Sequence, residues 1–176
     1  FDEGGEGNVY EYELVYYPLT TDDGTKQGLK LPQPDKVQGV SVKGLGDDAE
    51  GYRHAFLVKN NRWRDDYSGL IAFAEIFGTS GDAFHSEVDA VADVDQWLRG
   101  FAFGTLSGSI DNYANGAKHN AQFYLRPSDQ RMLYFPHDLD FFPASPNGAV
   151  VANQDLAKLI SDPVKKRRYY GHLYDI

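Results

Sequence analysis

Between Ser109 and Phe142 the sequence passes from a polar loop through two apolar runs and back to acidic residues, and no other stretch limits the fold as much. Ala121 to Arg126 and Met132 to Phe135 carry Phe, Tyr, Leu and Met, while Pro127, Ser128, Asp129 and Gln130 between them are turn formers. The pattern predicts a β-hairpin. Pro136 has no N–H to offer a ladder, so the second strand should close there and leave His137 to Asp140 at a strand end. That end is expected to lie near the loop that holds Asp111, Asn112, Asn115 and Asn120. Asp138 and Asp140, two apart on an extended chain, share a face. Two carboxylates facing one space repel unless a cation or proton sits between them, and hard divalent cations prefer oxygen ligands. The spacing suggests a metal site, yet it describes solvated loop acids or a helix cap as well.

The segment before the hairpin explains how Asp111 would reach that space. Asp93 caps an apolar stripe of Val94, Trp97, Leu98, Phe101, Ala102, Thr105 and Leu106, and Gly108 stops it after Ser107. This predicts a buried central helix whose C-terminal end delivers Asp111 to a cleft, with Asp95 facing solvent. A second helix is expected from about Asp66 to Phe77, on Tyr67, Leu70, Ile71, Ala74 and Phe77, with Asp65 and Asp66 as caps and Gly78 as the stop. Val9 to Tyr17 alternates and reads as a strand with Tyr10, Tyr12, Leu14 and Tyr16 on one face; packing of these tyrosines into a core is one reading of that face. Tyr52 to Lys59 predicts another strand. Pro18 to Glu50 shows no helical period and is expected to be a long loop with one or two strands.

Thr79 to Ala92 reads as a polar connection, and its His85 and Glu87 lack a third ligand at metal-binding spacing. Phe141 to Val151 bears Pro and Gly and suggests a flap. Asn153 is placed to cap a short helix with Leu156, Leu159 and Ile160. Asp162-Pro163 opens a last helix with Val164, Arg167, Tyr170 and Leu173 on one side.

The 176 residues, 41% of them hydrophobic, suffice for the core of one domain. A net charge of −9 argues against a nucleic-acid surface, and the Lys165-Lys166-Arg167-Arg168 cluster reads as a solvated helix face. Zero cysteines exclude disulfides, thiolate catalysis and Cys-based zinc sites. No apolar run reaches the ~18 residues of a membrane span, so neither nucleic acid nor membrane insertion is expected. Neither a Walker-type loop nor G-x-S-x-G occurs, which leaves no sign of a P-loop NTPase or a serine hydrolase.

The order Trp97-Leu98-Arg99, Asp111-Asn112-Tyr113, His119-Asn120-Ala121-Gln122-Phe123-Tyr124-Leu125 and Phe135-Pro136-His137-Asp138-Leu139-Asp140 resembles the CotH (spore coat protein H) kinase family. Lys59-Asn60-Asn61, Asp65 to Ile71 and Gly7 to Glu11 extend the resemblance over most of the chain. His137 stands where the family motif usually has Trp, and the gap from Asp111 to Asn120 is longer than in ordinary protein kinases. The resemblance implies an α+β fold of the protein-kinase-like C-terminal lobe, with helices around a small β-hairpin and a strand-containing N-terminal segment. It further implies that residues 1–176 form a partial domain, with the N-terminal lobe largely outside it and the last helix continuing past Ile176. By family role, Asp111 is the catalytic aspartate, Asn120 binds cofactor and metal, and Asp138 with Asp140 holds the metal. Tyr10 and Tyr12 would border the nucleotide base.

The implied cofactors are ATP and Mg²⁺ (or Mn²⁺ or Ca²⁺), the implied partner is a protein substrate with a Ser or Thr acceptor, and the implied location is secreted, cell-surface or spore-coat. The resemblance places the phosphate-contacting lysine in the N-terminal lobe, outside residues 1–176, so the isolated chain is expected to transfer little or no phosphate and the full-length parent to be the ATP-dependent phosphotransferase. The alternative is a non-catalytic surface or spore-coat binding module that uses an acidic metal-binding cleft.

Overall fold

The hairpin does form, as part of a larger sheet. Strands β1 (Asn8–Tyr12), β4 (Phe56–Val58), β5 (Ala121–Leu125) and β6 (Met132–Pro136) make one antiparallel sheet in the order β4-β1-β5-β6. The computed structural model describes residues 6–16, 37–38, 40–140 and 147–176. In it, β2 (Val15–Tyr16) pairs antiparallel with β3 (Val37–Gln38) as a separate ladder. The fold is α+β, with the hairpin strands in the sheet rather than standing alone among helices. The predicted strand from Val9 to Tyr17 is therefore two strands in two sheets. Most of the 18–50 region and residues 141–146 of the Pro- and Gly-bearing segment lie outside the described residues.

Alternation sorts the sheet's two faces. Tyr10, Tyr12, Phe56, Ala121, Phe123, Met132 and Tyr134 point inward and are fully buried. Val9, Glu11, Leu57, Gln122, Tyr124, Leu133 and Phe135 take the opposite face, with Glu11 opposite both Leu57 and Gln122, and Gln122 opposite Phe135. Helices α2 (Ser68–Phe77), α3 (Gly81–Val91) and α4 (Val94–Ser107) supply the residues that fill the inner side. At the centre, Trp97 of α4 stacks on Phe123 at 5.3 Å and leans on Tyr134 at 5.2 Å, and its ring N–H donates to the Met132 carbonyl at 2.8 Å. Such aromatic pairs add roughly 0.5–1.5 kcal/mol each beyond the area they bury.

The central helix follows its sequence signals closely. Asp93 accepts from the Gln96 N–H, and Gly108 ends the helix at φ +69°. The 79–92 segment, by contrast, is a helix and not a polar connection. Phe84 and Val88 are fully buried and Val91 packs beside them, a helical spacing masked by the His, Ser, Glu and Asp between them. The predicted strand from Tyr52 also begins differently, with a helical turn α1 (Glu50–Arg53) before β4.

At the C-terminus, Asn153 and Asp162 cap α5 (Gln154–Leu159) and α6 (Pro163–Asp175) as expected. The buried side of α6 is one position off the expected stripe: Lys165 and Tyr169 are buried, whereas Val164 and Tyr170 are about half exposed. Lys165 is no solvated lysine, since its Nζ lies 2.8 Å from Asp89 on α3. Asp95 is exposed as expected, and from the surface it meets His172 of α6 at 3.1 Å. Asp66 accepts from the Ser68 N–H at 3.0 Å as a cap should, while Asp65 pairs with Arg53 instead. No helix among the described residues is long and apolar enough to cross a membrane.

Two glycines test which force governs each helix. A Cβ at Gly100 would meet Tyr134 Cδ1 at 2.9 Å and its carbonyl oxygen at 3.1 Å, whereas a Cβ at Gly171 meets nothing within 4 Å. Helix propensity favours alanine at both by about 1 kcal/mol, and overpacking at the α4–β6 contact opposes it by about 1–3 kcal/mol. Gly171→Ala should therefore raise the unfolding free energy in chemical denaturation, and Gly100→Ala should lower it.

Burial raises the phenol pKa values of Tyr10, Tyr12, Tyr113, Tyr134 and Tyr169, with desolvation the largest cause in each. A raised folded pKa gives stability that is complete below the unfolded value of about 10 and is lost as pH climbs toward the folded one. Thermal midpoints should be insensitive to these groups at pH 7–9 and fall steeply above about pH 10.

Candidate functional site

Asp111 lies in the loop between α4 and β5, and that loop is tied down by asparagines. Asn112 is fully buried, and its side-chain oxygen accepts from the Ala114 N–H at 2.8 Å; Asn115 donates to the Ser109 carbonyl at 2.6 Å. Asn153, ahead of α5, donates to the Tyr113 carbonyl at 2.6 Å. Tyr113 itself is buried, its hydroxyl donating to Asp155 at 2.6 Å, and burial followed by the Asp155 charge keeps its phenol protonated well above the usual range. The loop can approach α4 this closely because Gly104 has no Cβ: one placed there would stand 2.6 Å from that of Ala114.

Asn120 joins this loop to the strand exit. Its side-chain amide donates to the Asp111 carbonyl at 2.6 Å, and its own carbonyl accepts the His137 N–H at 3.2 Å. Its backbone takes φ +56°, a left-handed conformation that Asn tolerates better than most residues. One residue thus brackets both predicted pieces, and Asp111, Asn120, His137 and Asp138 meet at the same end of the sheet. Asp138, at φ +51°, and Asp140 are both exposed there. The Asp111 side chain is 43% exposed, with its Oδ1 2.8 Å from Nε2 of His119, whose side chain is 11% exposed. On the far side of that ring, Nδ1 lies 3.7 Å from Oε1 of Glu13.

Tyr10 and Tyr12 are not part of this grouping. Both are fully buried on the inner face, with their hydroxyls donated to the Asp66 and Val40 carbonyls. Tyr12 borders only an inner cavity of about 340 Å³ beside Tyr113 and Asn153, away from the outer face, and Tyr10 borders neither it nor the outer cleft, which corrects their expected place at a nucleotide base. The opposite face is partly open, with Tyr124 and Leu133 buried but Val9, Gln122 and Phe135 partly exposed. A cleft of about 560 Å³ there is lined by Glu6, Gly7, Val9, Asn60, Gln122, Tyr124 and Phe135, well within the size range of small-molecule sites.

Lys59 shares that face, its Nζ 2.5 Å from Glu11 Oε2. It follows β4, and its N–H donates to the Val9 carbonyl, so it extends the ladder by one residue. The sequence signal that could have found it is the alternation of Leu57 and Lys59 about the inward Val58.

Among the described residues, no group of three or more His, Cys, Asp and Glu is arranged to hold a metal ion. His85, weighed as a ligand with Glu87, meets Ser161 at 2.8 Å instead. The donor chemistry at the strand exit still suits a hard cation. Asp138 and Asp140 supply two carboxylates, and Asn120, with its amide nitrogen committed to Asp111, keeps its amide oxygen as an acceptor. Mg²⁺ usually takes one or two carboxylates and fills its other positions with water and phosphate oxygens.

Compared with known families, residues 7–171 match the model described as CotH kinase protein. The chain belongs to the CotH kinase family. That match spans β1 to α6, so the sheet, the asparagine-tied loop and the strand exit are all parts of the CotH region. No match was found among curated proteins.

The left-handed backbone of Asp138 gives this CotH site a measurable signature. A non-glycine residue in that region carries about 1–2 kcal/mol, against the ~0.5–1 kcal/mol entropic penalty of glycine. Asp138→Gly should therefore hold or raise the unfolding free energy by up to about 1 kcal/mol in urea denaturation, even though it removes a carboxylate.

Proposed function

We propose that the chain is a CotH-type phosphotransferase that moves the γ-phosphoryl group of ATP to a Ser or Thr hydroxyl of a protein substrate. The observation that carries this reading is the pair of hydrogen bonds made by Asn120, its amide donating to the Asp111 carbonyl and its own carbonyl accepting the His137 N–H, which joins the Asp111 loop to the Asp138 strand exit. Phosphoryl transfer asks a protein for little covalent work and much positioning, which a bracketed pair of acidic segments supplies.

Asp111 accepts the proton of the acceptor hydroxyl as its oxygen bonds to the γ-phosphorus, and ADP leaves with the electrons of the broken P–O bond. Asn120, Asp138 and Asp140 are the residues that would hold the divalent cation, Mg²⁺ or Mn²⁺. When bound, that cation neutralises charge on the phosphates.

The nucleotide lies over the outer face of the sheet, in the cleft bordered by Val9, Gln122, Tyr124 and Phe135. Its phosphates run toward the end where Asn120 and His137 meet. Lys59, held by Glu11 on the same face, is the candidate phosphate-contacting lysine, in place of one expected outside residues 1–176. This gives the chain its own lysine–carboxylate pair, the kind of element kinases need for phosphate positioning.

The test is transfer of radiolabel from γ-labelled ATP to a mixed Ser/Thr peptide pool and to the chain itself, with nucleotide binding followed by calorimetry. Asp111→Ala should reduce labelling by roughly 10²–10⁴-fold with little change in ATP affinity, as expected for loss of a proton acceptor. Lys59→Ala should weaken ATP binding. Equal labelling by wild type and Asp111→Ala defeats the reading, and Ca²⁺ binding indifferent to nucleotide points to the binding module instead.

A further inference from the structure

The side chain of Asp111 is held by a residue that the proposed reaction does not otherwise use. His119 and Asn120 are consecutive, and they grip the same aspartate at two places. Asn120 takes the main-chain carbonyl at 2.6 Å, and His119 Nε2 takes Oδ1 at 2.8 Å. At this distance the two side chains form an ion pair, and because a carboxylate is acceptor-only, a hydrogen on Nε2 is what makes the contact attractive. The ring is nearly buried while the Asp111 side chain is 43% exposed, so the grip comes from the protein side and leaves the carboxylate open toward solvent. Among the described residues no hydrogen bond engages either carboxylate oxygen, and His119 is the charged partner of Oδ1. The charged groups paired with the ring are Asp111 in front and Glu13 behind, the latter at 3.7 Å from Nδ1, a span that a bridging water closes more readily than a direct bond. Glu13 is itself fixed, its N–H donating to the Ala55 carbonyl at 2.9 Å and its Oε1 accepting from the Leu14 N–H at 2.9 Å.

We infer that His119 is a positioning residue for Asp111: its Nε2–H occupies Oδ1 and turns Oδ2 toward the acceptor hydroxyl, and Glu13 keeps the ring from rotating away. The inference rests on the reading of Asp111 as proton acceptor. Without the ring, the carboxylate is free to turn about its side-chain bonds, and the acceptor hydroxyl meets a correctly aimed oxygen only part of the time. Asp111, His119 and Glu13 are not among the residues that line the cleft assigned to the nucleotide.

Glutamine and asparagine separate the positioning role from simple packing. A glutamine amide nitrogen reaches the place of Nε2, whereas that of asparagine reaches only the place of Nδ1. In the full chain, His119→Ala and His119→Asn should lower kcat by ~10- to 100-fold, the usual effect of losing an outer partner of a reactive group. His119→Gln should recover a substantial part of that loss, and KM for ATP should stay within about twofold throughout. Glu13→Gln in the His119→Ala background should add no further loss, because Glu13 acts only through the ring.

Nitrogen-15 NMR of the His119 ring gives a readout independent of turnover and should show Nε2 protonated. A ring with bare Nε2 overturns the inference whether or not the chain is active. So do equal rates for His119→Gln and His119→Asn, or a loss confined to KM. If wild type itself transfers no phosphate while Nε2 is protonated, the contact stands and the phosphotransferase reading fails.

Discussion

Everything at the candidate site depends on how α4 meets the β5–β6 hairpin. The helix carries the loop with Asp111 at its end, the hairpin carries Asn120 at its start and Asp138 just past its finish, and neither segment can reach the other unless the two are locked side by side. Three contacts do this. Trp97 stacks on Phe123 and donates to the Met132 carbonyl. The Gln96 side chain bonds both backbone groups of Tyr134, accepting from its N–H and donating to its carbonyl. Gly100 lets the helix backbone lie against the Tyr134 ring. The first is large and nonspecific in register; the second and third fix it. An amide satisfying both groups of one strand residue admits no slip along the strand, because a shift of one position turns every side chain to the other face.

The asparagines then turn that fixed frame into a fixed loop. An irregular connection beside a buried helix must satisfy its backbone groups without a ladder, and short amide side chains serve because they can supply either a donor or an acceptor. Asn112, Asn115, Asn120 and Asn153 each bond main-chain groups of the loop, and Asn112 does so from complete burial. The loop is thus held from α4, from β5 and from the segment before α5. This is the preorganisation that a positioning-dominated reaction calls for.

Much of this was written in the sequence. The hairpin, the central helix with Asp93 and Gly108 at its ends, and the capped helices α5 and α6 rest on local signals that tertiary packing did not override. So does the family resemblance, which depends on spacing along one continuous stretch. What escaped was nonlocal or disguised. Nothing near Val9 says that its strand will lie between Phe56 and Phe123, so the four-stranded sheet was not legible, nor was the choice of which face would stay open. That choice decided the fate of Tyr10 and Tyr12, whose bulk and polar tips suit a ligand and suit a core with carbonyl partners equally well. Helix α3 was disguised by a polar surface around two buried residues, Phe84 and Val88, and Lys59 looked like an ordinary strand-end charge until its diagonal partner Glu11 was in place.

The side-by-side arrangement of His119 and Asn120 bears on how this loop can vary in length. Because both anchors sit immediately before β5, residues can be gained or lost between Asn115 and Lys118 with the excess looping outward, while the aspartate keeps its two handles. An insertion between Asn120 and Ala121 has no such freedom: it would pull both handles away from the strand that aims them. Length drift among relatives of this chain should therefore gather on the upstream side of the pair, and a longer Asp-to-Asn interval than that of ordinary kinases is compatible with an intact site.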